Sequence, residues 1–106
     1  MIDPGNLNTR LTIEAPVEVP DGRGGLTRGY ATFAKAWAQV TQLAGRHDTA
    51  ADADGATIAA RIVMRSNFVL TLQHRLLDGA RIYRILAIRE RDNGRFIEID
   101  AELRVE

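Results

Sequence analysis

From Phe96 to Val105 the chain alternates apolar and charged residues almost without error. Ile97, Ile99, Ala101, Leu103 and Val105 fall on one side, and Glu98, Asp100, Glu102 and Arg104 on the other. Successive side chains of a strand point to opposite faces, so this segment reads as a β-strand with one dry face and one wet face. Ile82 to Arg89 reads as its hairpin partner, joined through the turn residues Arg91-Asp92-Asn93-Gly94-Arg95. The same grammar recurs upstream. Leu11, Ile13, Ala15, Val17 and Val19 oppose Arg10, Thr12, Glu14 and Glu18, while Ile58, Ala60, Ile62 and Met64 oppose Ala59, Arg61, Val63 and Arg65.

Pro16 cannot donate to a ladder, which places the first strand at an edge or breaks it there. Pro20-Asp21-Gly22-Arg23-Gly24-Gly25 is a turn signal, because proline fixes φ and glycine admits positive φ. Tyr30 to Leu43 carries four alanines that a helix would tolerate. Phe33, Trp37, Val40 and Thr41 favour a strand, with Ala34, Ala36, Ala38 and Val40 inward and Trp37 on the opposite face. Phe68 to Leu72 reads as a short strand or a loop, and Asp78-Gly79 as a tight turn. Residues 1–8 have little to bury and read as a flexible arm. Residues 44–56 break the β pattern and form a long loop between the second and third main strands, with Asp48 or Thr49 able to cap one helical turn ended by Gly55. The chain of 106 residues fits one domain, and five or six short strands predict an all-β fold, a small antiparallel β-barrel, because closure removes exposed edges.

Composition narrows the function classes. Fourteen basic residues balance fourteen acidic ones, so no global field draws the chain to nucleic acid or to an anionic membrane. With no cysteine there is no disulfide framework, thiolate nucleophile or thiolate metal site. No apolar run approaches the roughly 20 residues of a membrane span, and the start lacks the pattern of a secretion signal. His47 lies near Asp48, Asp52 and Asp54, but the spacing matches no calcium loop and no zinc pattern. Gly22-Arg23-Gly24-Gly25 lacks the Lys-Ser/Thr pair of a phosphate loop, and Ser66 sits in no nucleophile elbow. The residues point to no enzyme, no metal and no cofactor.

Three segments in this order resemble one family. Phe33-Ala34-Lys35-Ala36-Trp37-Ala38-Gln39-Val40-Thr41-Gln42-Leu43-Ala44-Gly45-Arg46 is similar to the Trp-Ala strand of the phage head-tail joining proteins. Thr57 to Arg65 is similar to their next strand, and Asp78-Gly79-Ala80-Arg81-Ile82-Tyr83-Arg84-Ile85 with the Asp92 to Leu103 hairpin to their end. Leu7-Asn8-Thr9-Arg10-Leu11-Thr12-Ile13 and the Asp21 to Leu26 turn also match, so the resemblance covers nearly the whole chain. It implies a structural subunit of a ring in the head-tail connector of a tailed phage or a gene transfer particle, made in the host cytoplasm and then part of the virion. The implied partners are copies of itself, a portal or adaptor protein on the head side, a tail terminator or tail tube protein on the tail side, and double-stranded DNA in transit. No membrane is implied.

Within that picture, residues 44–56 reach at most roughly 40 Å and form a channel loop carrying Arg46, His47, Asp48, Asp52 and Asp54. Its net acidity would repel phosphate and favour sliding of a duplex. Trp37, Arg61, Arg65, Arg84 and Arg89 are the expected subunit interface, pairing with Glu98, Asp100 or Glu102 of a neighbour. The competing reading is an oligonucleotide-binding β-barrel with aromatics stacking bases on a basic face. Against it, six aromatics are scattered over several strands with acids between them.

Overall fold

The protein is described here by a computed structural model covering residues 4–43 and 56–105. A short 3-10 turn at Pro4–Asn6 precedes six strands: β1 Thr9–Pro20, β2 Leu26–Gln42, β3 Ala56–Arg65, β4 Arg75–Asp78, β5 Arg81–Arg91 and β6 Phe96–Val105. All pairings are antiparallel, and the order β1-β2-β3-β6-β5-β4 closes back on β1 as a barrel. Closure rests on a short seam, Thr12 to Glu14 of β1 against Leu77 to Arg75 of β4.

The inward rows follow the alternation, except that Ala15, Val17 and Val19, on the same parity as Leu11 and Ile13, run out along the β1–β2 pair and do not join the core, Val19 being exposed. Leu11, Ile13, Ala38, Ala60, Ile62, Met64, Ile97, Ile99, Ala101 and Leu103 share one buried cluster with Leu76, Tyr83 and Ile85. Each large member contributes about 1.5–3 kcal/mol by leaving water, which lets a cysteine-free chain close on packing alone. Ala34, Ala36 and Val40 pack on the margin of this core, so β2 is a strand and Trp37 does stand outward, half exposed.

Two bulges shape the barrel. In β2 the register moves from Ile13↔Ala34 to Glu14↔Thr32, which leaves Phe33 as the extra residue. Its ring meets Phe68 at 6.0 Å and His74 at 5.4 Å, both edge-on, and Phe68 and Leu70 pack against the core from the loop between β3 and β4. In β5 the register moves from Ile85↔Ala101 to Ala87↔Asp100, leaving Leu86 extra. Strict alternation from Tyr83 would turn Arg89 inward. The added residue resets the phase, so Ile88 packs on the core and Arg89 points out.

Several boundaries differ from the sequence reading. β4 is a strand that pattern alone did not give, four residues long with Leu76 and Leu77 adjacent; it exists because β1 and β5 flank it. Ala56, expected in the loop, already pairs with Val105. Residues 4–8 do have something to bury, since Leu7 packs with Val63 and Phe96 in a second cluster on the outside of the barrel. The turn residues act as expected: Gly79 takes φ 60° between β4 and β5, and Asp92, Asn93 and Gly94 all adopt positive φ between β5 and β6.

Beyond Glu14 the paired strands β1 and β2 run on as a two-stranded ribbon, Ala15 to Pro20 against Ala31 to Leu26. The ribbon helps stretch the molecule to 51 × 38 × 22 Å. At its tip the Asp21 carboxylate accepts hydrogen bonds from the backbone N–H groups of Arg23 at 2.7 Å and Gly25 at 3.0 Å.

Candidate functional site

The outward face of β3, β6 and β5 carries most of the side chains singled out by sequence. Four rows cross it: Ala59–Glu102–Arg84, Arg61–Asp100–Ala87, Val63–Glu98–Arg89 and Arg65–Phe96–Arg91. The central strand supplies the carboxylates and both flanks supply arginines, because the acids of β6 and the bases of β3 and β5 occupy the wet parity of their strands. Glu98 is only 5% exposed and is the one buried charged residue among those described. It lies 3.3 Å from Arg61, 3.2 Å from Arg89 and 3.2 Å from Arg91. No buried side-chain polar atom among the described residues lacks a hydrogen-bond partner.

Arg89 is the hub. Its two terminal nitrogens donate to Asp100 at 2.7 and 2.9 Å in a forked pair, and its Nε donates to Glu98 at 3.3 Å. These bonds hold the Asp100 carboxyl below its ordinary range, chiefly through Arg89, and raise the already basic Arg89 further. Arg61 adds a contact to Asp100 at 3.7 Å. Arg61, Arg89, Glu98 and Asp100, assigned from sequence to pairing across a subunit boundary, are thus brought together inside one chain.

The other assigned residues are placed differently. Arg84 is largely exposed and reaches Glu102 at 3.8 Å. Arg65 lies over the Phe96 ring at 5.7 Å, and Arg10 lies over Trp37 at 5.4 Å. Arg46, His47, Asp48, Asp52 and Asp54 lie outside the described residues. His74 accepts the Thr71 backbone N–H on Nδ1 at 3.1 Å, and the Ser66 hydroxyl donates to the Gly94 carbonyl, so both serve loop architecture. No group of three or more His, Asp or Glu side chains capable of holding a metal ion occurs among the described residues.

Sequence reading missed a second surface at the ribbon's base. Arg75 binds Glu14 at 2.6 Å and stacks on Tyr30 at 3.8 Å, and a shallow groove of about 400 Å³ opens beside them between Tyr30, Leu72, His74, Ile82 and Arg84. Leu72 and Ile82 are exposed there. Only the bulge at Phe33 and the unrecognised strand β4 bring these residues together, and neither has a clear periodic signal.

This is a closed all-β barrel with an internally paired charged face and a projecting two-stranded ribbon. A family model, phage head completion protein, matches residues 2–104. The chain therefore belongs to the phage head completion proteins, and it is a structural protein of phage-type virions with a place in head-tail joining. Among solved structures it is similar to a chain in the virion of a native gene transfer agent particle, with 33% identity, TM-score 0.69, and coverage of 92% of this chain and 94% of that one. A protein of Shigella flexneri 2a, solved in solution, shares the fold at 20% identity and TM-score 0.70, with 96% of each chain covered. A search of curated proteins returned no match.

Proposed function

We propose that this chain is a ring-forming subunit of the head-tail connector, lying between the portal or adaptor assembly and the tail and lining the DNA channel. The observation that carries the reading is the near full-length likeness, at 33% identity, to a chain of a gene transfer agent virion. The geometry supports it. The charged face is rigidified by its own ion pairs, so the barrel can act as a solid block, while Trp37, Arg84 and the ribbon remain outward and exposed for neighbours. Its partners in this reading are further copies of itself, a portal or adaptor protein, a tail terminator or tail tube protein, and double-stranded DNA in passage.

Residues 44–55 join β2 to β3, and their sequence is small and net acidic. In the proposed ring they face the channel, where Asp48, Asp52 and Asp54 repel phosphate and keep a duplex sliding. In this reading the subunit is made in the host cytoplasm and then becomes part of the virion at the head-tail interface. The oligonucleotide-binding alternative has less support, since Glu98 and Asp100 occupy the middle of the arginine-bearing face.

Electron cryomicroscopy of purified particles tests the placement directly. The chain is expected as a closed ring at the head-tail joint, and density for it elsewhere, or particles that join and retain DNA without it, would refute the reading. Deleting residues 46–55 tests the channel role separately, with normal DNA retention and tail attachment counting against it.

A further inference from the structure

The distal ribbon has two free edges, and they are not alike. Its hydrogen-bond phase is fixed at the tip, where the Asp21 N–H donates to the Gly25 carbonyl at 3.0 Å and the Val19 carbonyl accepts the Thr27 hydroxyl at 3.1 Å. Main-chain groups alternate in direction along a paired strand, so residues 17, 19 and 21 face across the ribbon, and Pro16, Glu18 and Pro20 turn outward. Their register partners Tyr30, Arg28 and Leu26 turn outward on the other edge.

Proline has no N–H, so the β1 edge offers a single outward donor, at Glu18, where three residues stand. The β2 edge keeps all three, at Leu26, Arg28 and Tyr30. No strand pairs with it there among the described residues. Leu26 is 62% exposed and Tyr30 42%. An open edge of this kind is a template for strand addition.

Self-pairing is opposed on both available routes. Stacking the β2 edge of one copy on the β1 edge of the next meets the two prolines. Joining two β2 edges about a twofold axis brings the two Arg28 cations together, and like charges across strands repel. Arg28, at the middle of this edge, makes no ion pair among the described residues; Glu18 stands opposite it across the ribbon, and on its open side no strand supplies a carboxylate.

We propose that the Leu26–Tyr30 edge of β2 receives an extended, acid-bearing strand from a different protein of the head-tail junction. The added strand forms main-chain hydrogen bonds with the edge, sets a carboxylate beside Arg28 and lays apolar side chains on Leu26 and Tyr30. This rests on the connector reading above and names a partner surface within it.

Arg28→Pro is the direct test, because the Arg28 N–H points away from β1 and its loss spares the ribbon's own ladder. Unfolding of the free subunit is expected to stay as in the parent while incorporation into particles falls about tenfold; Glu18→Pro, on the edge already blunted, should incorporate normally. Parent-level incorporation of a folded Arg28→Pro overturns the inference. Should that variant fail to fold, hydrogen exchange of the parent decides: the amides of Leu26, Arg28 and Tyr30 should exchange freely in the subunit and be protected in the particle, and equal exchange in both overturns it. A photo-crosslinking residue placed at position 28 in particles should link to a different protein, whereas a product of two copies of this chain overturns it. A chain absent from the particle would defeat the connector reading itself; a chain present with an unprotected edge defeats only this inference.

Discussion

The β3–β6–β5 face and the distal β1–β2 ribbon use the same material, antiparallel strands with arginines and carboxylates turned outward, and they end in opposite states. On the broad face a central strand of acids lies between two flanks of bases, so Arg61, Arg84, Arg89 and Arg91 find carboxylates at home while Arg65 lies over Phe96. On the ribbon there is no third strand, and Arg28 faces Glu18 alone, with no ion pair formed by it or by Arg23 among the described residues. The difference is one of strand number. A third strand supplies cross-strand neighbours on both sides, and a two-stranded ribbon leaves half of its main-chain and side-chain contacts open. The broad face is therefore stiffened by its own ion pairs, and the ribbon is left with its edges open.

The largest effect that tests this contrast lies beneath the broad face. Ile99 is fully buried under the row between Glu98 and Asp100, and Ile99→Ala should cost about 3 kcal/mol by denaturant unfolding, within the usual range for large-to-small core changes. A loss below about 1 kcal/mol would mean that the core under the charged face is not close-packed.

Glu98→Gln should come next, at about 2 kcal/mol. The amide keeps the shape but removes the buried negative charge on which three guanidinium groups converge. A variant as stable as the parent would show that the three arginines are satisfied by solvent, and the picture of a pre-paired face would fall.

Asp100 gives a smaller effect with a defined sign. Its folded-state pKa is depressed, chiefly by Arg89, so it contributes stability that is present above the ordinary carboxylate range near about pH 4 and is lost as pH falls through the lower folded value. Asp100→Asn should therefore be less stable than the parent at neutral pH, and the gap between them should close in acid. A gap that stays constant down to the acid limb would mean that the forked Arg89 pair does not form in solution.

The same contrast explains what the sequence revealed. Ile97 to Val105 and Ile58 to Met64 announced their strands because a wet face opposite a dry one forces period two, and the inward alanines of β2 followed from that rule. β4 stayed hidden because Arg75-Leu76-Leu77-Asp78 is too short to show a period and is held by flanking strands. The Leu86 bulge stayed hidden because an inserted residue leaves composition unchanged while it resets the phase. Arg61, Arg89, Glu98 and Asp100 were recognisable as one outward charged set, but alternation along a strand does not say which strands are neighbours. Their pairing within one chain became visible only with the order β3-β6-β5. Val63 and Phe96 read as wet-face exceptions, and nothing in their spacing says that Leu7 covers them.

Leu26→Ser should have the smallest effect on the isolated subunit and sharpens the comparison most. Leu26 closes the ribbon opposite Pro20 and is 62% exposed, so its side chain leaves little water on folding and the change should stay within about 0.5 kcal/mol. The residue nevertheless removes apolar surface from the open edge, where burial would occur only on assembly. Stability measured on the subunit and incorporation measured on the particle should then separate: unchanged unfolding with reduced incorporation places the apolar contact outside the chain. A loss of subunit stability near that of Glu98→Gln would instead mean that the ribbon tip folds back on the barrel, and the division between a self-satisfied face and an unsatisfied ribbon would no longer stand.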